Sequence, residues 1–242
     1  MYLFVNLSSI LAVSWRQFIV WKKLFFSSIA TNIANPILFL FAFGLGLGKY
    51  IGELDGVDYL AFVVPGMISY SAMFAASFET TIGSFSRYYL HRNWDAVLST
   101  PVTLAELMLG EIMWATVKAM MSAICVLIVG WVWGGVPSIY GSVTSLLFVF
   151  IGSFSFACVG LAATAYARGY EFFSYFFTFW VTPMFIFCGV FFEIGRFPDF
   201  IQFLAWLLPM THLLNLVRPL CLGFPLDFSM VVFHVVYVIG FG

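Results

Sequence analysis

The residues that could do chemistry are few. There are three histidines, His91, His212 and His234, and four cysteines, at 125, 158, 188 and 221. The histidines are scattered, and each is read as structural. The cysteines contain no CxxC and no metal-ligand spacing. They are expected to be free thiols, with Cys188–Cys221 as the one pairing left open. A glycine run, GLGLGKY, has the look of a phosphate loop but fails as one. No strand precedes it, and Lys49 is followed by Tyr50 rather than Ser or Thr. No GxxxxGK[ST] occurs anywhere, so the chain has no loop of the usual kind for a nucleoside triphosphate. Two features remain. Glu79 and Lys118 are ionisable residues inside long apolar runs, where charge is costly and is functional by default. The stretch SFSRYYLHRNWDAVLSTPVT, residues 84–103, sets Arg87, His91, Arg92 and Asp95 among aromatic residues between two such runs.

The elements that carry these residues have to sit in lipid. Of 242 residues, 63% are hydrophobic and 9% are charged, against about 25% charged in soluble domains. Too little polar surface is left to face water. The apolar runs are continuous rather than alternating, so they are read as helices and not as barrel strands. A net charge of −1 argues against a nucleic-acid partner. Six spans are expected, at 28–47, 61–83, 112–133, 141–165, 172–192 and 228–242, since crossing takes about 20 apolar residues. The last, about 15 residues or ~22 Å of helix, predicts that the natural chain continues past Gly242. No cleavable signal is expected, because Ser8, Ser9, Ser14, Arg16 and Gln17 precede the first long apolar run. Lys and Arg set the orientation. Arg16, Lys22 and Lys23 precede the first span, Arg87 and Arg92 follow the second, and Arg168 follows the fourth. The opposite side has Lys49, Arg196 and Arg218, with Glu53, Asp55 and Asp58 close to Lys49. Both termini and residues 84–103 are therefore expected on the cytoplasmic side.

Residues 1–27 are read as a separate interfacial helix and 28–242 as a single transmembrane domain. Ile10, Val13, Trp15, Phe18, Trp21 and Leu24 supply apolar bulk, while Arg16, Lys22 and Lys23 would meet headgroups. Pro36 and Pro183 should kink the first and fifth spans. Gly44 with Gly48, and Gly130 with Gly134, have the spacing that lets helices approach closely in lipid. Before the last span lie two half-length apolar pieces, 199–208 and 212–222. Pro198 suits a helix start, Pro209 a stop, Thr211 a cap and Gly223 an end. A helical hairpin dipping into the outer leaflet is expected, an outer gate that includes Pro198, Pro209 and His212.

On a helix from Arg87 to Leu98, the residues Leu90, Trp94, Val97 and Leu98 form one apolar stripe. Arg87, His91 and Asp95 fall four apart on another face. Pro101 stops this wedge, and Thr103-x-x-Glu106 is a capping box that opens the third span. A stiff amphipathic helix between a hard stop and a hard start suits rigid coupling to another protein. A solvated helix that simply returns the chain to the membrane fits the same residues. Glu79 lies about one turn inside the cytoplasmic end of its span and Lys118 about two turns inside the next. With snorkelling they reach one depth. A Glu79–Lys118 pair is expected, testable by exchanging the two charges; the two reaching the headgroups separately fits the same residues. Glu106 and Glu111 are placed at the helix start, where carboxylates suit the dipole. The run YEFFSYFFTFWVTPMF could line a path for an acyl chain or for sugar rings, and it reads equally as lipid-facing bulk.

Three stretches resemble one known family, the membrane (permease) subunits of type-two ABC exporters. They are YLAFVVPGMISYSAMF with Pro65-Gly66, WDAVLSTPVTLAELMLGEI, and PMFIFCGVFFEIGRFPDFIQFLAWLLPMTHLLNLVRPL. They keep the family's order and spacing over nearly the whole chain. Within the family the chain is most similar to the branch of the nodulation lipo-chitooligosaccharide export permease. The resemblance implies an all-α integral membrane fold: six transmembrane helices, an N-terminal interfacial helix, a cytoplasmic coupling helix and a re-entrant helical hairpin before the last span. It implies a transport subunit rather than an enzyme, paired as a homodimer in the bacterial cytoplasmic (inner) membrane. Each copy would dock a separate ATP-binding subunit, with ATP and Mg held by that partner and no cofactor on this chain. The coupling-helix contacts would be Arg87, His91, Arg92, Trp94 and Asp95. The missing phosphate loop agrees, since energy then has to arrive from a partner. The implied cargo is an amphiphile, lipid-linked or lipo-oligosaccharide; the alternative is a multidrug or small-molecule efflux permease. A membrane-embedded lipid or glycan transferase would need converging polar groups that three scattered histidines do not supply. A self-gated channel would want a ring of charge or filter carbonyls, and no such motif stands out.

Overall fold

The computed structural model describes residues 6–23, 34–54 and 56–242. Among these residues the fold is helical, apart from one very short hairpin. In chain order the elements are α1 (Leu7–Lys23), α2 (Ala34–Ile51), β1 (Glu53–Leu54), β2 (Val57–Asp58), α3 (Tyr59–Leu90), α4 (Asn93–Leu98), α5 (Leu104–Val132) and α6 (Ile139–Tyr166). There follow α7 (Glu171–Phe187), α8 (Asp199–Trp206), α9 (Pro209–Leu222) and α10 (Phe228–Phe241). β1 and β2 pair antiparallel, Glu53 opposite Asp58. The chain is an integral membrane protein. α2, α3, α5 and α6 are long and apolar enough to cross a membrane, and α8 with α9, bent by 85°, would make a fifth if taken as one broken span. α7 and α10 are apolar but shorter. Helices thus occupy most of each stretch read as a span among the described residues, α7 stopping at Phe187 short of the expected 192, and four of them reach crossing length alone. Residues 28–33, the turn ahead of Pro36 and Asp55 lie outside the described residues, as do Leu24 and residues 1–5.

α3 is the axis of the bundle. Within its most apolar stretch 94% of the span is buried, against 50%, 44% and 17% for α5, α6 and α2. The other helices therefore keep a face for lipid or for another chain. At 32 residues α3 is ~48 Å long and exceeds the ~30 Å hydrocarbon core, so its ends reach the polar boundary. Small residues bring its neighbours close. A Cβ at Gly44 would stand 2.6 Å from Leu60 Cδ1, and one at Gly130 would stand 2.6 Å from Val64 Cγ1. Gly134 does not extend that contact: it takes φ +77° in the turn after α5, which a side chain would resist.

The helical ladder of α3 widens into π turns at Glu79–Gly83 and Ser86–Leu90. The cause is local. Thr80 Oγ1 donates to Ala76 O at 2.9 Å, and Thr81 Oγ1 to Ser77 O at 2.5 Å. Hydroxyls that bond back one turn compete with the backbone amides for the same carbonyls. The Thr80 carbonyl is then open to another helix, and Thr164 Oγ1 on α6 donates to it at 2.7 Å. Pro183 acts likewise in α7: it has no amide to donate, and the turn before it, Phe177–Val181, is π-helical.

α1 is amphipathic, but its inner face meets protein rather than lipid. Ile10, Val13 and Gln17 are buried. Val13 lies over Gly110 of α5, and Ser14 Oγ donates to Gly110 O at 2.9 Å. Phe18 and Trp21 pack edge-on to Trp114. The α8–α9 pair also differs from expectation at its cap. Pro209 opens α9 instead of only stopping α8, so Thr211 falls inside the first turn, and its hydroxyl donates across the bend to Ala205 O. Gly223 ends α9 at φ +85°. All four cysteines are free, and Cys188 and Cys221 are buried without bridging.

Candidate functional site

At the end of α3 next to α4, four charged side chains and two polar ones form one network. Arg87 is its hub. Its Nη1 donates to Glu79 Oε1 at 2.7 Å, its Nη2 to Glu111 Oε2 at 2.5 Å and its Nε to both Glu111 oxygens at 3.1–3.2 Å. Lys118 Nζ donates to Glu79 Oε2 at 2.6 Å, and Trp114 Nε1 to Glu79 Oε1 at 3.2 Å. Ser84 Oγ donates to Glu111 Oε2 at 2.8 Å. Two carboxylates face two cations, which is the balance a dry site requires. The side chain of Glu111 is fully buried, and Arg87 is its cation partner among the described residues. The π turn helps to build the site, since it swings Glu79 and Arg87 of one helix onto the same face of α5. Glu111 departs from expectation. Its nearness to Glu106 suggests a helix start, yet it lies more than a turn further in and serves as the inner anchor of Arg87.

The structure brings Glu79 and Lys118 together, but not as an isolated pair. That changes the outcome expected of a charge exchange. Glu79→Lys with Lys118→Glu would set an ammonium against the Arg87 guanidinium. The exchanged protein is expected to be less stable than the neutral double variant Glu79→Gln/Lys118→Gln, by about 2 kcal/mol. Melting of the two in detergent, side by side, checks this.

Beyond the network the wedge is broken in two. α3 runs on to Leu90, Arg92 takes a left-handed backbone at φ 48°, and α4 starts afresh at Asn93. The helical register is lost there, so Arg87 does not share a face with His91 and Asp95. Arg87 turns inward. Trp94 is 9% exposed, with its ring 5.3 Å from that of Tyr88. Together with Val97 it seats α4 on the bundle. Leu90 and Leu98, expected on the same stripe, are exposed. Two of the five implied contact residues, Arg87 and Trp94, are therefore supports beneath the surface. His91, Arg92 and Asp95 are the exposed ones. The capping box is in place: Thr103 N donates to Glu106 Oε2 at 2.8 Å, and Glu106 N to Thr103 Oγ1 at 3.3 Å. Glu106 Oε1 also accepts the Asn6 amide at 2.7 Å, tying the start of α1 to the same corner.

Between α3 and α7 runs a cavity of about 210 Å³, lined by Tyr70, Phe74, Phe78, Phe177, Val181 and Phe185, with Ile82 and Thr182. At the α8–α9 bend lie the three residues expected of an outer gate, and one of them, His212, is joined to α10. Pro198 precedes the first residue of α8, and Pro209 is the first of α9. His212 Nδ1 and His234 Nδ1 are 2.8 Å apart, and His212 Nε2 lies 2.9 Å from the Trp206 carbonyl. That carbonyl only accepts, so with both rings neutral the Nε2 of His212 carries its hydrogen and His234 Nδ1 donates. Tyr237 stacks on His212 and donates its hydroxyl to Leu207 O at 2.8 Å. No sequence signal joined these histidines, because the bend of the chain brings them together.

An ABC-2 type transporter family model matches residues 8–222. Nodulation protein J of Sinorhizobium fredii (strain NBRC 101917 / NGR234) is 37% identical over 219 residues, covering 89% of this chain and 82% of that one. Nodulation protein J of Rhizobium leguminosarum bv. viciae is 38% identical over 220 residues, covering 89% and 83%. The inner membrane transport permease YadH of Escherichia coli (strain K12) is 26% identical over 213 residues, covering 87% and 80%.

Proposed function

The chain belongs to the ABC-2 type transporter family, in the branch that holds the Nodulation protein J sequences, and on that premise we propose that it is the permease subunit of an ATP-driven exporter of an amphipathic, lipid-linked or lipo-oligosaccharide substrate. Two copies form the path in the bacterial inner membrane, with both termini cytoplasmic. Each takes an ATP-binding subunit on the face that carries α4, and that partner holds ATP and Mg. The chemistry of hydrolysis stays with the partner; this chain turns its movement into a change of path.

The observation that carries this reading is the mounting of α4. His91, Arg92 and Asp95 stand exposed on a helix whose Trp94 is sunk into the bundle. On one side the chain runs into the Arg87 network, and on the other into the Thr103–Glu106 box. The links on either side of α4 are short, His91–Arg92 and residues 99–103, so a push on α4 passes to α3 and α5. The aromatic cavity between α3 and α7 supports an apolar portion in the cargo: its wall is nearly all ring and methyl surface, with hydroxyls from Tyr70 and Thr182.

Co-purification with the ATP-binding subunit tests the docking. Arg92→Glu with Asp95→Arg is expected to weaken the complex about tenfold or more and to abolish stimulated ATP hydrolysis, because charged rim contacts set pairing. Its melting temperature should match that of the parent. Trp94→Ala should instead lower melting before it weakens docking. Should the Arg92/Asp95 variant keep its partner and still export, α4 is not the docking surface.

A further inference from the structure

The opposite end of the bundle holds a cation without an acid. Arg218 on α9 pairs with no carboxylate among the described residues. Its Nε donates to Phe62 O at 3.3 Å, and its Nη2 to Gly189 O at 2.6 Å and Val190 O at 3.4 Å. Its guanidinium carbon lies 3.8 Å from the centre of the Phe62 ring. These partners belong to two other elements. Phe62 is in the first turn of α3, while Gly189 and Val190 lie in the non-helical segment after α7. That segment is pressed onto α3: a Cβ at Gly66 would stand 2.8 Å from Val190 Cγ1, and Tyr59 donates its hydroxyl to Phe191 O at 3.4 Å.

The chemistry of the contact is bistable. Gly189 and Val190 lie past the last turn of α7, outside any helical ladder, so their carbonyls need a donor from elsewhere and Arg218 supplies it. A planar guanidinium can hold carbonyls of two segments at once while its face rests on a ring; an ammonium cannot reproduce that geometry. Carbonyls that lose this donor in a dry site are costly until water reaches them. Arg218 is half-buried, so the contact is either engaged, with the carbonyls shielded by the guanidinium, or released, with water in its place.

We propose that Arg218 is a latch, a positioning residue that holds α3, the segment after α7 and the α8–α9 pair closed at the end of the bundle opposite α4. The path opens there when α9 turns the guanidinium away and water covers the freed carbonyls. What crosses, and what drives the turn, rests on the exporter reading above. Residues 62 and 87 are ~37 Å apart along one helix, so α3 joins the latch to the Arg87 network.

Cys188 adjoins Gly189 and is 1% exposed, which makes it a native reporter. The test uses full-length protein in membrane vesicles, with Cys125, Cys158 and Cys221 replaced by alanine, and a membrane-impermeant maleimide as probe. The parent should be protected. Arg218→Gln should label about tenfold faster, the population change expected for loss of two or three hydrogen bonds, and Arg218→Lys should fall between. A rate equal to the parent's overturns the latch. So does an equal rise in Gly160→Ala, which loosens the α3–α6 contact at the other end without touching Arg218. If Arg218→Gln does not reach the membrane, Arg218→Lys decides, with the same direction expected. Adding the ATP-binding subunit and ATP should speed labelling of the parent and leave Arg218→Gln at its high rate. A parent that ignores ATP while Arg218→Gln still labels fast overturns the exporter reading and leaves the latch standing.

Discussion

Arg87→Met is expected to destabilise the protein by about 3–5 kcal/mol, the cost of removing one partner from a buried ionic group. Methionine fills similar space, so the loss is electrostatic rather than a cavity. Glu79 would keep Lys118 and the Trp114 indole, but Glu111 would keep Ser84 and no cation. Adding Glu111→Gln should therefore recover most of the loss, and the double variant should melt well above Arg87→Met alone. Arg87→Lys should fall between, because a point charge cannot serve both carboxylates as the fork does. With Glu111→Gln alone as the other single variant, the melting temperatures of the parent, Arg87→Met, Glu111→Gln and the double variant form a cycle that separates the pair from its parts. If Arg87→Met melts with the parent, the network contributes nothing to the fold, and the stiffness assigned to the mount of α4 has no basis.

The second large effect is steric. Gly141 sits in the first turn of α6, where a Cβ would overlap the carbonyl oxygen of Leu220 on α9. The same corner is bound by Ser138, whose amide donates to Cys221 O at 3.1 Å and whose Oγ accepts the Gly141 amide at 3.1 Å. A backbone carbonyl held between two helices cannot rotate aside as a side chain would. Gly141→Ala is expected to cost roughly 3 kcal/mol, the upper range for overpacking by one small group. Gly169→Ala is the control: nothing lies within 4 Å of its Cβ position, so it should be silent. Size-exclusion recovery and melting of the two variants decide the matter. A Gly141→Ala protein as stable as the control would mean that α6 and α9 do not meet as described.

What could be read from the sequence was local. Thr103 and Glu106 announce the start of α5 because a capping box is a four-residue device. Gly223 ends α9 for an equally local reason. The shared depth of Glu79 and Lys118 follows from counting turns from two helix ends. The break at Arg92 carried no such mark: no glycine or proline stands there, and an arginine adopts the left-handed turn. Extending one register across that break puts Arg87 on the face of His91 and Asp95 and Leu90 on the buried stripe, whereas Trp94 and Val97 do pack inward together. Glu111, the His212–His234 contact and the carbonyl cluster around Arg218 depend on which helix faces which, and periodicity within one helix does not contain that information.

The tie between Asn6 and Glu106, with Val13 set over Gly110, has a mechanical corollary. α1 cannot stay still while the corner beside α4 moves. Its outer face presents Leu11, Trp15 and Ile19, all well exposed, and its end presents Lys22 and Lys23. On the exporter reading proposed above, and with α1 at the headgroup layer as its residues lead one to expect, each stroke would drag an oily, basic float through that layer. Lipid thickness and surface charge become a load in series with the motor, so cargo moved per ATP should vary with bilayer composition even where the hydrolysis rate is constant.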